Sequence, residues 1–589
     1  MAKIFESRRR KESLRAVLPG GMGLPRRAPS GGGDLRTRMF HISLIVCLLL
    51  IASAAGADSG GWSVRRLVRG AAIQSTNGID VGPDGHLYVA TVFGREIAIV
   101  DRHSGAVLDR LGPEIGVETP DDLVFGPDGL LYWTEPFTGK VGRRESDGTI
   151  STVAQLPLGA NPLAFNAEGR LFVATVVFSD GLYEVDPQGI EPPRTILEGL
   201  GNLNGFAFGP DGLLYSPQAA TNSVVRIDVD AATVETAATG FGFVASVDFD
   251  SRGRLHVNDA GAGKIVRVDL ETGEREVLAN LPTGVDNITF DDRDNLYATQ
   301  LLDGSITRVR PDGRKRIIQR GGMSVPGGLA TVHSDSGRHD ELWVADFFSL
   351  RVFDGRSGRQ LREFRAVPFV SFMTLPNTVS VAGDRLVLSS WLGNAVQVVD
   401  RTSGEVLVNR FDFAVPVNAI VFQGELVVAE LFTGSVVRSP LSPANPGERS
   451  IIASGLLAPA GLAASGDDLW ATDYFAGALL QLVSAGQELA PPRVVASGLA
   501  QPEGLAVLPD GDLVVVEAGA GRVSRVDPLS GSVETIADGL ELGTAAPPLV
   551  APPTWHFNGV TVGSTGALYV TGDTANVIYK LRRRGRAGG

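Results

Sequence analysis

The sequence predicts an all-β fold. A pattern of four short strands recurs about every 40 residues, and turn sequences of the GPDG type recur with it, at 82–85, 126–129 and 209–212. No stretch of useful length has the 3.6-residue apolar periodicity of an amphipathic helix. Repeats of this length with four strands each are typical of the blades of a β-propeller.

The first repeat shows the pattern clearly. Strands are predicted at 78–81, 86–91, 96–100 and 106–111. The turn GPDG separates the first two strands, because proline fixes φ at one position and glycine accepts a positive φ at another.

Twelve such repeats follow one another along the chain. We use the residue before the first strand of each repeat as its marker residue. The marker residues are Asn77, Asp121, Asn161, Asn204, Ala245, Asp286, Gly327, Asn377, Asn418, Ala460, Glu503 and Asn558. One ring usually contains four to eight blades, so twelve repeats predict two tandem six-bladed propellers.

The strand order predicts where the two rings divide. Segment 62–70 looks like an outer fourth strand without its first three, and the last unit, 559–581, lacks a fourth strand. We expect 62–70 to close the first ring beside the sixth unit, and 314–320 to close the second beside the twelfth. The predicted propellers are therefore 58–313 and 314–589.

The beginning of the chain has the pattern of a secretory signal. A basic leader precedes the apolar run 42–55, which is too short to span a bilayer and ends in the cleavage-type sequence Ala55-Gly56-Ala57. We expect residues 1–57 to be removed and the protein to be secreted or periplasmic. An uncleaved membrane anchor is the alternative.

Cleavage would change both the charge and the redox chemistry of the chain. The lone cysteine, Cys47, lies in the leader, so the mature protein would contain no disulfide. Removal of the leader's net charge of +7 takes the chain from −13 to −20. This charge argues against nucleic acid and against an anionic membrane surface as partners.

The marker residues are the candidate metal ligands. In a propeller the first strands line the central channel, so their side-chain oxygens converge, and oxygen ligands suit Ca²⁺. The oxygen-bearing residues are Asn77, Asp121, Asn161, Asn204, Asp286 and the adjacent Asn287 in the first propeller, and Asn377, Asn418, Glu503 and Asn558 in the second. The alternative is that Asn and Asp serve local turns at these strand starts.

A second group of polar residues closes the second strand of each repeat. We call them strand-two residues: Thr91, Glu135, Thr175, Gln218, Asp259, Gln300, Asp346, Ser390, Glu430, Asp473, Glu517 and Gly572. We favour a structural role as turn partners for these residues over metal binding.

The repeats from 62 to 581 resemble those of NHL-type propellers. The marker ring is similar to the superfamily of gluconolactonase, senescence marker protein, luciferin-regenerating enzyme and paraoxonase. The resemblance implies a six-bladed propeller with calcium in its channel, held by a Glu, by Asn residues two and three blades on, and by an Asp four blades on. Asn204 and Asp286 match this pattern when it is counted from Asp121, which replaces the Glu, while Ala245 stands where an Asn is implied.

The second ring matches the same implied pattern differently. Glu503 supplies the acid, and Asn377 and Asn418 follow three and four blades on. Gly327 stands where the first Asn is implied, and Asn418 replaces the Asp.

Two classes of function follow. The first is a calcium-dependent hydrolase of a lactone or ester. We expect the second propeller to carry the stronger catalytic candidates, Glu503 and His556, and Asp121 or Glu135 would be the base if the first propeller is the active one. A related alternative is a metal-dependent lyase of the streptogramin-inactivating type, and His556 has the alternative of a packed loop residue. The second class is a secreted scaffold that binds a peptide, glycan or protein partner.

Overall fold

The computed structural model describes residues 61–333, 339–368, 370–441, 448–546 and 554–584. These residues form strands almost throughout, with two short 3-10 helices at Pro113–Ile115 and Ala518–Ala520. The predicted all-β class is confirmed. The predicted signal segment lies outside the described residues.

The described strands fall into a first strand and two sets of six sheets, the last of which that first strand joins. The first described strand is β1 (Trp62–Arg69). The first set contains β2 (Ile79–Val81), β3 (Leu87–Thr91), β4 (Glu96–Val100), β5 (Val107–Leu111), β6 (Leu123–Phe125), β7 (Leu131–Glu135), β8 (Lys140–Arg144), β9 (Ile150–Gln155), β10 (Ala160–Phe165), β11 (Leu171–Thr175), β12 (Gly181–Val185), β13 (Arg194–Glu198), β14 (Ala207–Phe208), β15 (Leu214–Gln218), β16 (Ser223–Asp228), β17 (Thr233–Ala238), β18 (Val244–Phe249), β19 (Leu255–Asp259), β20 (Lys264–Val268), β21 (Arg275–Asn280), β22 (Val285–Phe290), β23 (Leu296–Gln300), β24 (Ile306–Val309) and β25 (Lys315–Gln319).

The second set continues to the end of the described chain. It contains β26 (Leu329–His333), β27 (Asp340–Ala345), β28 (Ser349–Asp354), β29 (Gln360–Arg365), β30 (Thr378–Ala382), β31 (Arg385–Ser390), β32 (Ala395–Asp400), β33 (Val406–Arg410), β34 (Pro416–Phe422), β35 (Glu425–Glu430), β36 (Ser435–Pro440), β37 (Ser450–Ala453), β38 (Pro459–Ser465), β39 (Asp468–Asp473), β40 (Ala478–Ser484), β41 (Gln487–Ser497), β42 (Pro502–Val507), β43 (Leu513–Glu517), β44 (Arg522–Val526), β45 (Val533–Ala537), β46 (Val560–Val562), β47 (Leu568–Gly572) and β48 (Val577–Arg583).

Each set is divided into four-stranded antiparallel sheets. In eleven of the described sheets the four strands are consecutive in the chain, as in β2-β3-β4-β5. The four strands of the first repeat agree with the predicted ones to within one residue. Local signals explain this agreement, because alternation of side chains and turn residues act over only a few positions.

The PDG turns hold the first two strands of several sheets together. Gly85 has a φ of +80°, as the turn requires. The aspartate of the turn accepts a hydrogen bond from a tyrosine hydroxyl four residues later, at 3.1 Å from Tyr88 to Asp84 and at 2.7 Å from Tyr132 to Asp128. The turn is thereby fastened to the strand that follows it.

The first strands of neighbouring sheets pack against one another in two series. In the first set β2 contacts β6, and the contacts continue through β10, β14, β18 and β22, which contacts β2 again. In the second set the same series runs from β26 through β30, β34, β38, β42 and β46 back to β26. Glycines after the markers permit this approach: a Cβ on Gly78 would lie 2.6 Å from the Asp122 Cα, and one on Gly504 would lie 2.5 Å from the Asn558 carbonyl oxygen.

The predicted closure of the two rings is wrong. β1 pairs with β48, with Trp62 opposite Arg583 and Arg69 opposite Val577, so the first described strand completes the last sheet. β25 pairs with β24 in the sixth sheet and is not released to the second set. The physical reason is local: β24 and β25 are joined by a short turn, so their pairing costs little loop entropy, and β46, β47 and β48 are followed by no fourth described strand of their own.

None of the helices within the described part of the chain is long and apolar enough to cross a membrane.

Candidate functional site

A cavity of about 630 Å³ lies at the marker end of the first set, which is the end where the marker residues precede the first strands. Five of the predicted first-set residues line it: Asn77, Asp121, Asn161, Asn204 and Asp286. Ala245, the empty position in the implied ligand pattern, lines it as well. The first strands therefore bring these side chains, which are far apart in the sequence, to one place.

Asp121 has one carboxylate oxygen that is paired and one that is not. It is 4% exposed, and its Oδ1 accepts a hydrogen bond from Asn77 Nδ2 at 2.5 Å. Its Oδ2 is buried and has no hydrogen-bond partner among the described residues. Burial holds the pKa of Asp121 well above its usual range, and the charges of Asp286 and Asp122 raise it further. A buried carboxylate oxygen without a partner is unfavourable unless a ligand completes it.

Asp286 and Asp122 are the neighbouring acids whose charges act on Asp121. Burial raises the pKa of Asp286 to about 7. Burial also raises the pKa of Asp122 to about 7, although Asp122 Oδ1 accepts hydrogen bonds from the Leu123 N–H at 2.9 Å and from Asn287 Nδ2 at 2.8 Å. The amide nitrogen of Asn287 is thus committed to Asp122.

Three of the channel acids were missed at the sequence level. Asp122 follows a marker residue directly, and that adjacency was the available signal. Asp80 in β2 and Asp248 in β18 carried no distinct signal; burial raises the pKa of Asp80 to about 6 and that of Asp248 to about 7.

Threonines on the second strands hold the markers in position. Thr299 Oγ1 donates to the Asn77 carbonyl oxygen at 2.5 Å, and Thr134 Oγ1 donates to that of Asn161 at 2.5 Å. In the second set Thr472 donates to the Glu503 carbonyl at 2.8 Å. Each bond joins one sheet to the marker of the next sheet. Each of these threonines directly precedes a strand-two residue. This recurrence is visible in the sequence and could have identified them.

Glu503 is the corresponding buried acid of the second set. It has no exposed surface, and its Oε2 accepts hydrogen bonds from Asn558 N at 2.7 Å and Asn558 Nδ2 at 2.8 Å. Its Oε1 has no partner among the described residues. Burial, with the charge of Asp573, raises the pKa of Glu503 to about 8.

The asparagines of the second set are more engaged in local contacts. Asn377 donates through Nδ2 to the Val417 carbonyl at 3.1 Å and accepts from Trp391 N at 3.0 Å. Asn558 Oδ1 accepts from Asp573 N at 3.0 Å. Asn418 lines a channel cavity of about 280 Å³ together with Glu503 and Asn558.

His556 lies in a packed aromatic environment. It is 2% exposed, and its ring centroid is 5.8 Å from that of Phe93 and 5.5 Å from that of Phe347. Neither ring nitrogen has a hydrogen-bond partner among the described residues, and burial lowers the pKa of His556 to about 3. The packed-residue alternative agrees with this environment, whereas a solvent-facing His556 does not.

The same aromatic cluster joins the marker ends of the two sets. Phe137 of the first set contacts Trp555 of the second, with centroids 5.0 Å apart, and both belong to one apolar core with Trp391. At its edge, buried Arg351 binds Asp346 through Nε at 2.5 Å and donates to the Leu302 carbonyl of the first set at 3.1 Å. The two marker ends therefore share one core.

The acidic strand-two residues cap backbone N–H groups. Asp259 accepts from Gly242, Phe243 and Ala262. Asp346, Glu430, Asp473 and Glu517 each accept from one or more backbone N–H groups as well. These contacts agree with the structural role favoured for this group.

No family model matches the chain. A gluconolactonase of Zymomonas mobilis subsp. mobilis (strain ATCC 31821 / ZM4 / CP4) is 28% identical to it over 168 residues, which are 24% of this chain and 47% of that protein. The match thus spans about half the length of this curated relative.

The solved structures that match the chain cover different shares of it. A putative gluconolactonase is 16% identical and covers 44% of this chain and 94% of its own, with a TM-score of 0.35. Virginiamycin B lyase from Staphylococcus aureus is 15% identical and covers 56% of this chain and 96% of its own, with a TM-score of 0.22. An extracellular domain of a putative one component system from B. thetaiotaomicron is 11% identical, covers 89% and 78%, and has a TM-score of 0.32.

The sequence match to the Zymomonas mobilis gluconolactonase confirms the predicted resemblance to the gluconolactonase-like β-propeller superfamily.

Proposed function

We propose that the first set of sheets holds a Ca²⁺ ion at Asp121, Asn204 and Asp286 and hydrolyses a lactone or ester there. The observation that carries this proposal is that Asp121 belongs to the cavity lining and that its buried Oδ2 has no hydrogen-bond partner among the described residues. The sequence match to a gluconolactonase supports the reaction class.

The proposed architecture is two six-bladed propellers, one per set. The series of contacts that returns from β22 to β2, and from β46 to β26, supports it. Because β25 pairs with β24, the first propeller would run from Ile79 to Gln319. The second would contain β1 and the strands from Leu329 onward.

The donor set of the first propeller fits calcium. Asp121 and Asp286 supply carboxylate oxygens, Asn204 an amide oxygen, and Asn161 lines the same cavity. Asn287 lies outside the cavity lining and donates its amide nitrogen to Asp122. Burial raises the pKa of Asp121 and Asp286, and a divalent cation beside them would favour their charged forms.

The chemistry that calcium supplies is polarisation of the substrate carbonyl as a Lewis acid. The chain's own residues do the rest. Asp286 lines the cavity and can accept the proton of an attacking water and return it to the leaving alkoxide oxygen. Asp121 is less suited as the base, because its Oδ1 accepts from Asn77 and its Oδ2 is the oxygen proposed for calcium. Glu135 is already committed to the Glu118 N–H, the Trp133 indole and the Thr138 hydroxyl, so we assign it no catalytic role.

The second set offers a weaker cation site. The free Oε1 of Glu503 favours one, with Asn418 and Asn558 beside it, but Asn377 has both ends of its amide engaged. His556 has no proton partner among the described residues, so we prefer the first set as the catalytic one.

The test is a calcium titration of the chelator-treated full chain by calorimetry, followed by assays on a panel of lactones and esters. We expect Asp121→Asn and Asp286→Asn to abolish calcium binding and hydrolysis. Glu503→Gln is the matched control and should retain both. If Glu503→Gln abolishes activity and Asp121→Asn does not, the site belongs to the second set.

The remaining alternatives have distinct outcomes. Elimination without water incorporation would favour the lyase, and a protein that turns over no substrate with calcium present would favour the scaffold for a peptide, glycan or protein partner. Export is a separate proposal, which N-terminal sequencing of secreted material beginning at Asp58 would support.

A further inference from the structure

The cavity above Asp121 has walls from both sets of sheets, and the two sets contribute different chemistry. Its second-set lining consists of Phe347, Phe348, Val367, Pro368, Leu375 and Leu392. The carboxylate and amide side chains in its lining all come from the first set. The cavity therefore has a polar floor and an apolar roof.

The apolar lining continues to the surface of the first set. Phe137 contacts Phe178 with ring centroids 5.6 Å apart, and Phe178 is 48% exposed. Beside it, Val177 also lines the cavity and is 66% exposed. Exposed apolar side chains continuous with a cavity mark a route of entry for an apolar ligand.

We propose that the second set forms the apolar half of the binding site, and that the ligand is an uncharged lactone or ester with an aliphatic body. This inference rests on the proposed function and names its substrate class. A volume of about 630 Å³ falls in the range of pockets that enclose small organic ligands. The carbonyl group would face Asp121 and Asp286, and the aliphatic body would contact Phe347 and Leu392.

The same geometry disfavours a polyhydroxylated sugar lactone. Each hydroxyl that leaves water needs a new hydrogen-bond partner, and an unpaired one costs free energy. The roof residues offer only apolar side chains. A ring with hydroxyls on several carbons would satisfy only those that face the floor.

The experiment measures binding without turnover. The calcium-loaded full chain is titrated by calorimetry with two lactams, which resist hydrolysis: the analogue of δ-decalactone and the analogue of glucono-δ-lactone. We expect the aliphatic lactam to bind at least about tenfold more tightly, since several buried methylene groups each favour it.

Two variants test the roof and the entrance. Leu392→Gln and Val177→Asn should each weaken binding of the aliphatic lactam by about tenfold and leave the sugar lactam unchanged. Asn suits position 177, where φ is +63°. The control is Leu529→Gln, because Leu529 is 88% exposed and lies outside the cavity lining; it should bind both lactams as the wild type does.

The outcomes separate this inference from the proposed function. Equal or tighter binding of the sugar lactam overturns it, and so does wild-type affinity in both Leu392→Gln and Val177→Asn. A protein that binds neither of the two lactams also overturns it. If the aliphatic lactam binds with the expected variant effects but no lactone or ester is hydrolysed, the proposed hydrolase is wrong and the apolar ligand class stands.

Discussion

Trp62 lies opposite Arg583 in the antiparallel pair of β1 and β48, so the first described strand completes the last sheet of the chain. Trp62 is 4% exposed and packs in a core cluster with Tyr579 and Leu581 of that sheet. The residues between β1 and β26 form the whole first set. The first set is therefore inserted between two parts of the same sheet-forming unit.

This closure predicts that Trp62 stabilises the second set from a distance in sequence. Trp62→Ala should lower the free energy of unfolding by about 3 kcal/mol, because it removes a large buried side chain and weakens the cover of the β48 edge. Chemical denaturation measures the change. Leu529→Ala, at an exposed position, is the control. Equal stability of Trp62→Ala and wild type would contradict the role given to β1.

The buried carboxyl group of Asp286 predicts that calcium binding depends on pH. Burial raises the pKa of Asp286 to about 7, so the calcium-free folded chain holds a proton that the unfolded chain loses near pH 3.8. The contribution of this proton on Asp286 to the free energy of unfolding is complete below pH 3.8 and is lost as the pH rises through about 7. Calcium bound at the proposed site would displace this proton, so its affinity should rise from about pH 6 to about pH 8, by up to about tenfold per pH unit for each proton.

Calorimetry in two buffers of different ionisation enthalpy measures the protons released. Glu503→Gln should release as many protons as wild type, and Asp286→Asn, which we expect not to bind calcium, should release none. A calcium affinity that does not change over this pH range would argue against Asp286 as a ligand.

The environment of His556 predicts an acid-sensitive contact between the two sets. Burial lowers the pKa of His556 from 6.5 to about 3, so its contribution to stability is present above pH 6.5 and is lost as the pH falls toward 3. The loss should reach up to about 1.4 kcal/mol per pH unit. Denaturation at a series of pH values, compared with His556→Phe, isolates this effect from that of the acids.

His556→Phe also separates a packed residue from a catalytic one. Phenylalanine suits a site between Phe93 and Phe347 and leaves no buried nitrogen unpaired. We expect the variant to fold, to be less sensitive to acid and to retain hydrolysis. A folded His556→Phe protein without activity would instead support the catalytic role considered from the sequence.

The hydrogen bonds from threonines to the marker carbonyl groups predict a different effect on calcium affinity in the two sets. Thr299→Val removes the bond to the Asn77 carbonyl and should cost about 1–2 kcal/mol of stability. It should also weaken calcium binding, because Asn77 donates to Asp121. Thr571→Val removes the equivalent bond to the Gly327 carbonyl in the second set. The Thr571→Val control should cost similar stability without changing calcium affinity. An equal loss of calcium affinity in Thr299→Val and Thr571→Val would contradict a calcium site in the first set.

Local sequence determined much of what the structure contains. The strands of the first repeat end within a residue of their predicted positions, and the PDG turns occur where proline and glycine require them. The marker residues Asp121, Asn204 and Asp286 were found from their spacing and line one cavity. These features depend on side-chain alternation, turn conformation and repeat length, which act over a few residues or recur regularly.

The tertiary structure alone decided how the repeats are joined and what surrounds the site. The partner of β1 was predicted wrongly, because a free strand has no local mark of the distant edge that it completes. Likewise, Asp122 meets Asn287, and His556 packs between Phe93 and Phe347, only because separate sheets come together. The apolar roof over Asp121 comes from residues more than two hundred positions later in the chain. Such contacts depend on the packing of whole sheets, and no short stretch of sequence encodes that packing.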